Sequence, residues 1–332
     1  MSTTLPTRGG AADLVSAAPP PNPSPSGRPS SEDRLHRRRG RIGLWFAMPW
    51  IVGFVLFYAA PMAASLWFSF TDFSLTSPDP IAFVGGDNWA RLIRDREVID
   101  SALVTVKFGL LSLPLTILVP LGFAWLLTAK QLWGRSIFRT LFYMPSVIPF
   151  VAAVLVFNGM LNSQTGWANR ALSAVGIPGP NWLNSEVWIY PTLTLIALWG
   201  IGNAMIIFIA GINSVPADLY DAAQVDGASS WQQFRTITVP MISPVLFYNV
   251  VVALIGLFQY FLVPFVLKNG SGDPGGATFF YSMYFYRTLF RLQNMGYAAT
   301  LAWMMFLVGL VVTGLLFWSA RYWVHYEFGD QS

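Results

Sequence analysis

The chain has 332 residues, of which 54% are apolar, 16% aromatic and only 11% charged, against roughly 25% charged residues in soluble domains, so the lipid bilayer is its expected solvent. With no cysteine and only two histidines, His36 and His325, near opposite ends, the sequence excludes a disulfide framework, an iron–sulfur cluster and thiolate metal sites; no metal site is expected. The net charge of +4 carries meaning only after the basic residues are assigned to sides of a membrane.

Residues 1–41 contain "AAPPPNPSPSGRPS" followed by "RLHRRRGR", with no apolar periodicity to build a core, and are expected to be a disordered cytosolic tail. The first apolar stretch is too long for the core of a secretory signal and is expected to be a retained membrane helix. Spanning about 30 Å of hydrocarbon takes roughly 20 apolar residues. Six runs meet that need: Gly43 to Phe70, Ala102 to Thr128, Thr140 to Leu161, Val187 to Ile212, Ile242 to Leu267 and Tyr297 to Ala320. Residues 42–320 are thus predicted to form an all-α integral membrane domain of six transmembrane helices, followed by a short cytosolic tail, 321–332. Prolines at 49, 61, 114, 120, 145, 149 and 264 predict kinks and close packing, because neighbouring helices must satisfy the freed backbone groups.

Six crossings put both termini on one side. Twelve Lys/Arg fall on the side of the termini and seven on the other, where eight acids accompany them in the same loops. Both termini are therefore predicted to be cytosolic in a cytoplasmic (inner) membrane. Orientation accounts for the positive charge, and no nucleic-acid partner is expected.

Between the fourth and fifth crossings lies a polar loop, 213–241, which includes "DAAQVDGASSWQQFRTITVP". It is predicted to be a pair of short helices. Pro216 suits a first helical turn, Asp218 and Asp221 complement the N-terminal dipole, and Leu219, Ala222 and Ala223 share a face. Gly227 is the expected left-handed stop. Ser230 and Gln233 form a candidate capping box for the second helix, whose apolar residues Trp231, Phe234 and Ile237 are spaced three apart, and Val239–Pro240 should end it. Ser243-Pro244 then resemble the cap and first turn of the fifth crossing. With one Arg against three Asp, the loop suits neither an anionic lipid surface nor DNA, and fits a protein groove better.

The pattern D-A-A-x3-G-x9-I-x-V-P resembles the EAA signature of permease subunits of binding-protein-dependent ABC importers, E-A-A-x3-G-x9-I-x-L-P; Asp221 stands for Glu and Val239 for Leu, while Ala222, Ala223, Gly227, Ile237 and Pro240 match in place. "FVGGDNW" (83–89), "MPSVIPFVAAVLVFNGML" (144–161), "LNSQTGWANRALSAVGI" (161–177) and "MGYAATLAW" (295–303) are similar to the carbohydrate-uptake branch, specifically the maltose-type first permease subunit. The resemblance implies that the loop is a coupling helix seated in a cytosolic ATPase, with Asp221 contacting a basic residue of that ATPase, Gly227 shaping the elbow, and Trp231 and Phe234 seating the second helix. It further implies a second homologous permease subunit, an ABC ATPase dimer and an extracytoplasmic solute-binding protein as partners, besides membrane lipid. The loop "LKNGSGDPGGAT" (267–278) departs from the family's shorter G-G-P-x-x-x-T turn.

The sequence has no Gly-Lys pair and so no phosphate-binding loop of the G-x-x-x-x-G-K-[ST] type; ATP and Mg are expected on a partner chain, with no cofactor and no catalysis in this one. The six spans hold no Asp, Glu or His, which argues against proton-coupled carriage; their one charge, Lys107, is expected to snorkel to the interface. Amides and hydroxyls that could meet sugar hydroxyl groups interrupt the apolar runs at Asn203, Tyr248, Asn249, Gln259 and Tyr260, with Gln259 and Tyr260 lying where the family's path would run. Gly200, Gly202 and Ala204 are expected to serve helix packing, and in "NWARLIRD" Trp89, Leu92 and Ile93 are expected on one face of a short interfacial helix. The expected function is ATP-driven import of a sugar or related polyol. Permeases for other solutes such as a glycerophosphate, and an ion-coupled secondary carrier, are the alternatives.

Overall fold

The structure is a computed structural model that describes residues 45–129 and 132–325. The N-terminal tail, Lys130 and the last seven residues of the C-terminal tail lie outside the described residues. The chain divides into two units, Met1–Pro61 and Met62–Ser332.

The described residues form helices and connections, with two isolated bridges, Thr71 to Phe83 and Ser74 to Asn294. The first helix, α1 (Trp45–Phe68), is apolar enough to cross a membrane. In its part belonging to the first unit, 45–61, no side chain is buried, and Trp50, Phe54 and Tyr58 stack one turn apart with ring centroids 5.6 and 6.1 Å apart. Val55–Ala59 widen into a π turn. Pro61 follows two residues later, and widening moves the Phe57 carbonyl away from the ring that would otherwise clash with it.

The second unit begins with the last turns of α1 and continues in a connection whose bends are held by Asn88: its Nδ2 donates to the carbonyls of Ser69 (3.1 Å) and Thr71 (2.8 Å). Asn88 sits on α2 (Asp87–Arg94), where Leu92 is buried and Trp89 half-buried, whereas Ile93 is 77% exposed. The expected shared face therefore does not include Ile93. Helix α3 (Arg96–Thr128) starts six residues before the predicted span and continues through Pro114 and Pro120 for about 50 Å.

The third predicted crossing is not one rod. Helix α4 (Arg135–Tyr143) runs into a 3-10 turn, Met144–Val147, and α5 (Phe150–Met160) leaves at 99° to that first arm. Pro145 and Pro149 supply the reason. Neither offers an N–H, and Ile148, ahead of Pro149, is forced into extended backbone with ψ 133°. After α6 (Trp167–Ala174), the fourth predicted crossing is also bent, by 59°, between α7 (Ile189–Trp199) and α8 (Gly202–Ser214). The connecting loop to the fifth crossing holds α9 (Ala217–Val225) and α10 (Ser230–Gln233). The fifth predicted crossing corresponds to α11 (Ser243–Phe258) and α12 (Leu262–Lys268), interrupted at Gln259–Phe261; α13 (Tyr281–Tyr286) leads to α14 (Met295–Trp323), which corresponds to the sixth predicted crossing. Among the described residues four helices are long and apolar enough to cross a membrane, or up to six if each bent pair is one span.

Helix α3 is the spine of the second unit, packed on α7, α8 and α11. Toward its start Phe108 joins Val154, Leu193, Val263 and Phe280; toward its end Leu121, Ala124 and Leu127 join Met205, Phe208 and Ile242. Many large apolar side chains, among them Leu110, Val156 and Trp318, remain exposed, as a lipid-facing body requires. At the α7–α8 bend the backbone of α4 crosses so closely that a Cβ on Gly202 would lie 2.6 Å from the Phe142 carbonyl oxygen and 2.9 Å from the Tyr143 Cα. Gly202 thus supplies the close packing expected of this segment, while a Cβ on Gly200 would meet only the Ala197 carbonyl, at 3.7 Å. Gly202→Val should therefore destabilise the purified protein by about 1–3 kcal/mol in a thermal-unfolding measurement, and Gly200→Ala far less.

Candidate functional site

In the polar loop, Pro216 is the N-cap and Ala217 starts α9, with Asp218 in its first turn. Gly227 adopts φ +76°, and the Ala228 N–H to Ala223 carbonyl (2.9 Å) and Gly227 N–H to Gln224 carbonyl (3.0 Å) bonds close a Schellman motif, the stop read from the sequence. The capping box falls one residue earlier than expected. Ser229 caps, accepting from the Gln232 N–H, and the Gln232 side chain accepts from the Ser229 N–H at 2.7 Å. Ser230 is instead the first helical residue, since Ser229 is the last one in extended backbone. Nor do Val239 and Pro240 end the helix. Phe234–Thr238 widen into a π turn and the chain continues through Val239–Met241, the same device as at Pro61: Thr236, whose carbonyl Pro240 would strike, lies inside the widened turn. Ser243 is likewise the first residue of α11 rather than its cap; its Oγ donates to the Pro240 carbonyl (2.6 Å) and accepts from the His325 N–H (2.9 Å).

These local rules give the two helices opposite surroundings. Helix α9 has no buried residue: Asp221, Ala222 and Gly227 are exposed, Ala223 is half-buried, and Asp221 has no ion-pair partner among the described residues. The segment after it is rooted. Phe234 is buried against the Leu121–Leu127 end of α3 and against α8, with its ring 4.8 Å from that of Trp125. Trp231 leans on Trp125 at 5.8 Å but stays 59% exposed, and Ile237 and Pro240 are half-buried. The expected apolar face thus buries only Phe234, because a spacing of three drifts around a helix and the π turn shifts it further. A hydroxyl pair, Tyr220 with Thr238 at 2.9 Å, ties α9 to the rooted segment. Trp125 was not singled out in the sequence, where it is one aromatic among many in an apolar run.

The five path candidates do not form one constellation. Asn203 on α8 and Tyr248 on α11 are exposed, and Asn249 is buried with its Nδ2 donating to the Val245 carbonyl of its own helix at 2.9 Å. Gln259 and Tyr260 sit in the interruption of the fifth crossing. Gln259 is exposed and lines a cavity of about 360 Å³ with Phe258, Phe285, Met305 and Thr313 among its other walls. The Tyr260 ring packs against Phe108 (4.6 Å) and Phe280 (5.2 Å), and its hydroxyl is buried without a hydrogen-bond partner among the described residues. Lys107 is exposed on α3. No cluster of three metal-ligating side chains occurs among the described residues.

Residues 118–323 match the family described as the inner-membrane component of binding-protein-dependent transport systems. The chain belongs to this family. A probable ABC transporter permease of Bacillus subtilis is 35% identical over 89% of this chain and 96% of its own length, and a trehalose/maltose transport system permease of Thermococcus litoralis is 30% identical over 74% and 82%. A chain of a solved bacterial ABC transporter described as involved in import of the acidic polysaccharide alginate superposes with a TM-score of 0.73 at 26% identity, covering 87% of this chain and 98% of that one. The protein is thus a membrane-embedded, non-catalytic permease subunit of an ABC importer, and its likeness to sugar permeases runs well beyond the loop signature.

At the far end of α3 from Trp125, the permease holds a polar cluster that sequence reading missed. Asp95, the N-cap of α3, accepts from the Glu97 N–H (3.0 Å), the Tyr284 hydroxyl (2.5 Å) and the Tyr297 hydroxyl (2.6 Å), while the Arg91 guanidinium lies 4.0 Å over the Tyr297 ring. An Asp two residues ahead of a Glu before a long apolar run was the available signal, but only for the cap. Burial by itself raises the Asp95 pKa; the two tyrosines, the Glu97 N–H and Arg91 outweigh it and hold the carboxyl below its ordinary 3.8. Burial, then Asp95, push the Tyr284 hydroxyl up to about 12. A depressed folded-state pKa stabilises above the unfolded value of 3.8 and ceases to do so as pH falls through the lower folded value. Asp95→Asn should accordingly lower the melting temperature at neutral pH, with the gap to the unaltered protein closing on acidification below 3.8.

Proposed function

We propose that this permease imports a saccharide or related polyol, driven by a separate ATPase that grips residues 213–241. The carrying observation is the contrast within that loop: an exposed acidic helix, α9, joined by the Gly227 elbow to a segment rooted on Trp125 at the end of α3. A force on α9 reaches the body through Phe234, Trp231, Ile237 and Pro240 and through the Tyr220–Thr238 hydroxyl pair. Asp221 meets a basic residue of the ATPase, with Ala222 and Ala223 allowing close approach. Six crossings with both termini cytosolic follow from the distribution of Lys and Arg, and each bent pair then counts as one span. The working complex comprises a second homologous permease, two ATPase subunits that bind ATP and Mg, and an extracytoplasmic solute-binding protein, in keeping with the family's description. The relatives named for trehalose/maltose and for alginate support a carbohydrate cargo.

Along the path, Gln259 and Tyr260 are the groups assigned to cargo. The interruption places the exposed Gln259 amide and the Tyr260 hydroxyl, unpartnered among the described residues, within an apolar span, which suits a ligand rich in hydroxyls. Asn203 and Tyr248 remain lesser candidates on exposed faces, and Asn249 is committed to its own helix.

Two outcomes test this reading. Asp221→Lys, or Gly227→Pro at a φ of +76° that proline cannot adopt, should leave the permease inserted in normal amount yet lower substrate-stimulated ATP hydrolysis and uptake by about tenfold or more, a loss of about 1.4 kcal/mol of coupling; normal transport with both changes refutes it. Gln259→Ala or Tyr260→Ala should reduce uptake while the assembled complex is recovered intact, and unchanged uptake in both removes them from the path.

A further inference from the structure

The short helix α13 makes contacts out of proportion to its six residues. The Tyr281 N–H donates to Thr105 Oγ1 on α3 (3.1 Å) and the Tyr281 hydroxyl to the Leu301 carbonyl on α14 (2.8 Å). Ser282 Oγ donates to the Tyr260 carbonyl (2.7 Å), and Tyr284 donates to Asp95 (2.5 Å). The Tyr286 ring lies against Phe261 (4.9 Å), in the interruption of the fifth predicted crossing, and Phe265 (5.1 Å), just beyond it. Residues 281–284 are buried.

Two of these bonds have different tasks from the rest. The break at Gln259–Phe261 takes the Tyr260 carbonyl out of the helical ladder, and an unpaired carbonyl inside a membrane protein is costly. Ser282 supplies its partner, so the orientation of the Tyr260 peptide is set by α13 and not by its own helix. Tyr284 then fixes α13 to Asp95, the residue that joins α2 to α3. Lying between the first and second predicted crossings, α2 is on the extracytoplasmic side in the proposed orientation, and its Ile93 is 77% exposed.

We propose that α13 is a positioning strut: through Tyr284 and Asp95 it is fastened to the extracytoplasmic helix α2, through Ser282 it holds the Tyr260 carbonyl, and it thereby sets the placement of Gln259 and Tyr260 relative to α2. Ser282, Tyr284 and Asp95 act through the path residues and need not touch cargo. This rests on the assignment of Gln259 and Tyr260 to the path.

The chain has no cysteine, so a pair of nitroxide labels can be placed at will. Ile93→Cys is exposed on α2, and Gly256→Cys sits one turn before the interruption, where an added Cβ meets nothing within 4 Å. In the assembled transporter, with cysteine-free partner chains, the distance distribution between these labels is measured by double electron–electron resonance. It should be narrow in the parent and about twofold broader or displaced in both Ser282→Ala and Tyr284→Phe, with Ser282→Thr restoring the parent distribution. An unchanged distribution in either variant overturns the strut, as does failure of Tyr284→Phe to assemble, since its hydroxyl would then serve folding alone. If the distribution responds as expected but Gln259→Ala and Tyr260→Ala transport normally, the strut stands and the path assignment fails.

Discussion

In hydrocarbon every backbone N–H and C=O needs a partner, because no water is there to supply one. That single requirement organises this permease. Where its crossings remain helical the ladder satisfies itself, and where proline or glycine interrupts them the structure provides a specific substitute. The Ser146 hydroxyl donates to the Tyr143 carbonyl at the third-crossing elbow, and Ser282 donates to Tyr260 at the break in the fifth. Before Pro61 and Pro240 the helix widens instead of ending. At the break in the fifth predicted crossing the substitute comes from another element, so that interruption is also a point of contact between parts of the molecule.

Helix α3 connects two of the most consequential contacts. Near its end Trp125 receives Phe234 and Trp231 from the polar loop, and near its start Phe108 packs on Tyr260. Seventeen residues of helix separate Phe108 from Trp125, about 26 Å. Packed along α7, α8 and α11, this unbroken helix, which runs through Pro114 and Pro120, joins the two contacts in one element. Its start is in turn fixed by Asp95, the carboxylate in which α2, α13 and α14 meet.

Much of this was legible in the residues. Apolar runs located the helices long and apolar enough to cross a membrane, although the second begins earlier than its hydropathy suggests because Asp95 caps a charged first turn. Gly227 announced a left-handed stop by its residue type, since few others adopt φ +76° without strain. The capping box was shifted by one because "SSWQQ" offers two overlapping solutions, and nothing local distinguishes Ser229 from Ser230. The two prolines of "MPSVIP" announced a bend in the third predicted crossing, but its size, 99°, depends on what lies beside it.

By itself, then, the sequence determined the solvent, the helical class, the family and the position of the polar loop, because hydropathy, glycine stereochemistry and fixed motif spacings are properties of neighbouring residues. Only the tertiary structure decided which helix of that loop is free and which is rooted, that Gly202 rather than Gly200 admits the crossing backbone, and that Asp95, Tyr284 and Tyr297 share one set of hydrogen bonds. Asp95 and Tyr297 are 202 residues apart in the chain. No local pattern encodes such a meeting; it exists because packing α2, α13 and α14 near the start of α3 brings two tyrosine hydroxyls onto the half-buried Asp95 carboxylate.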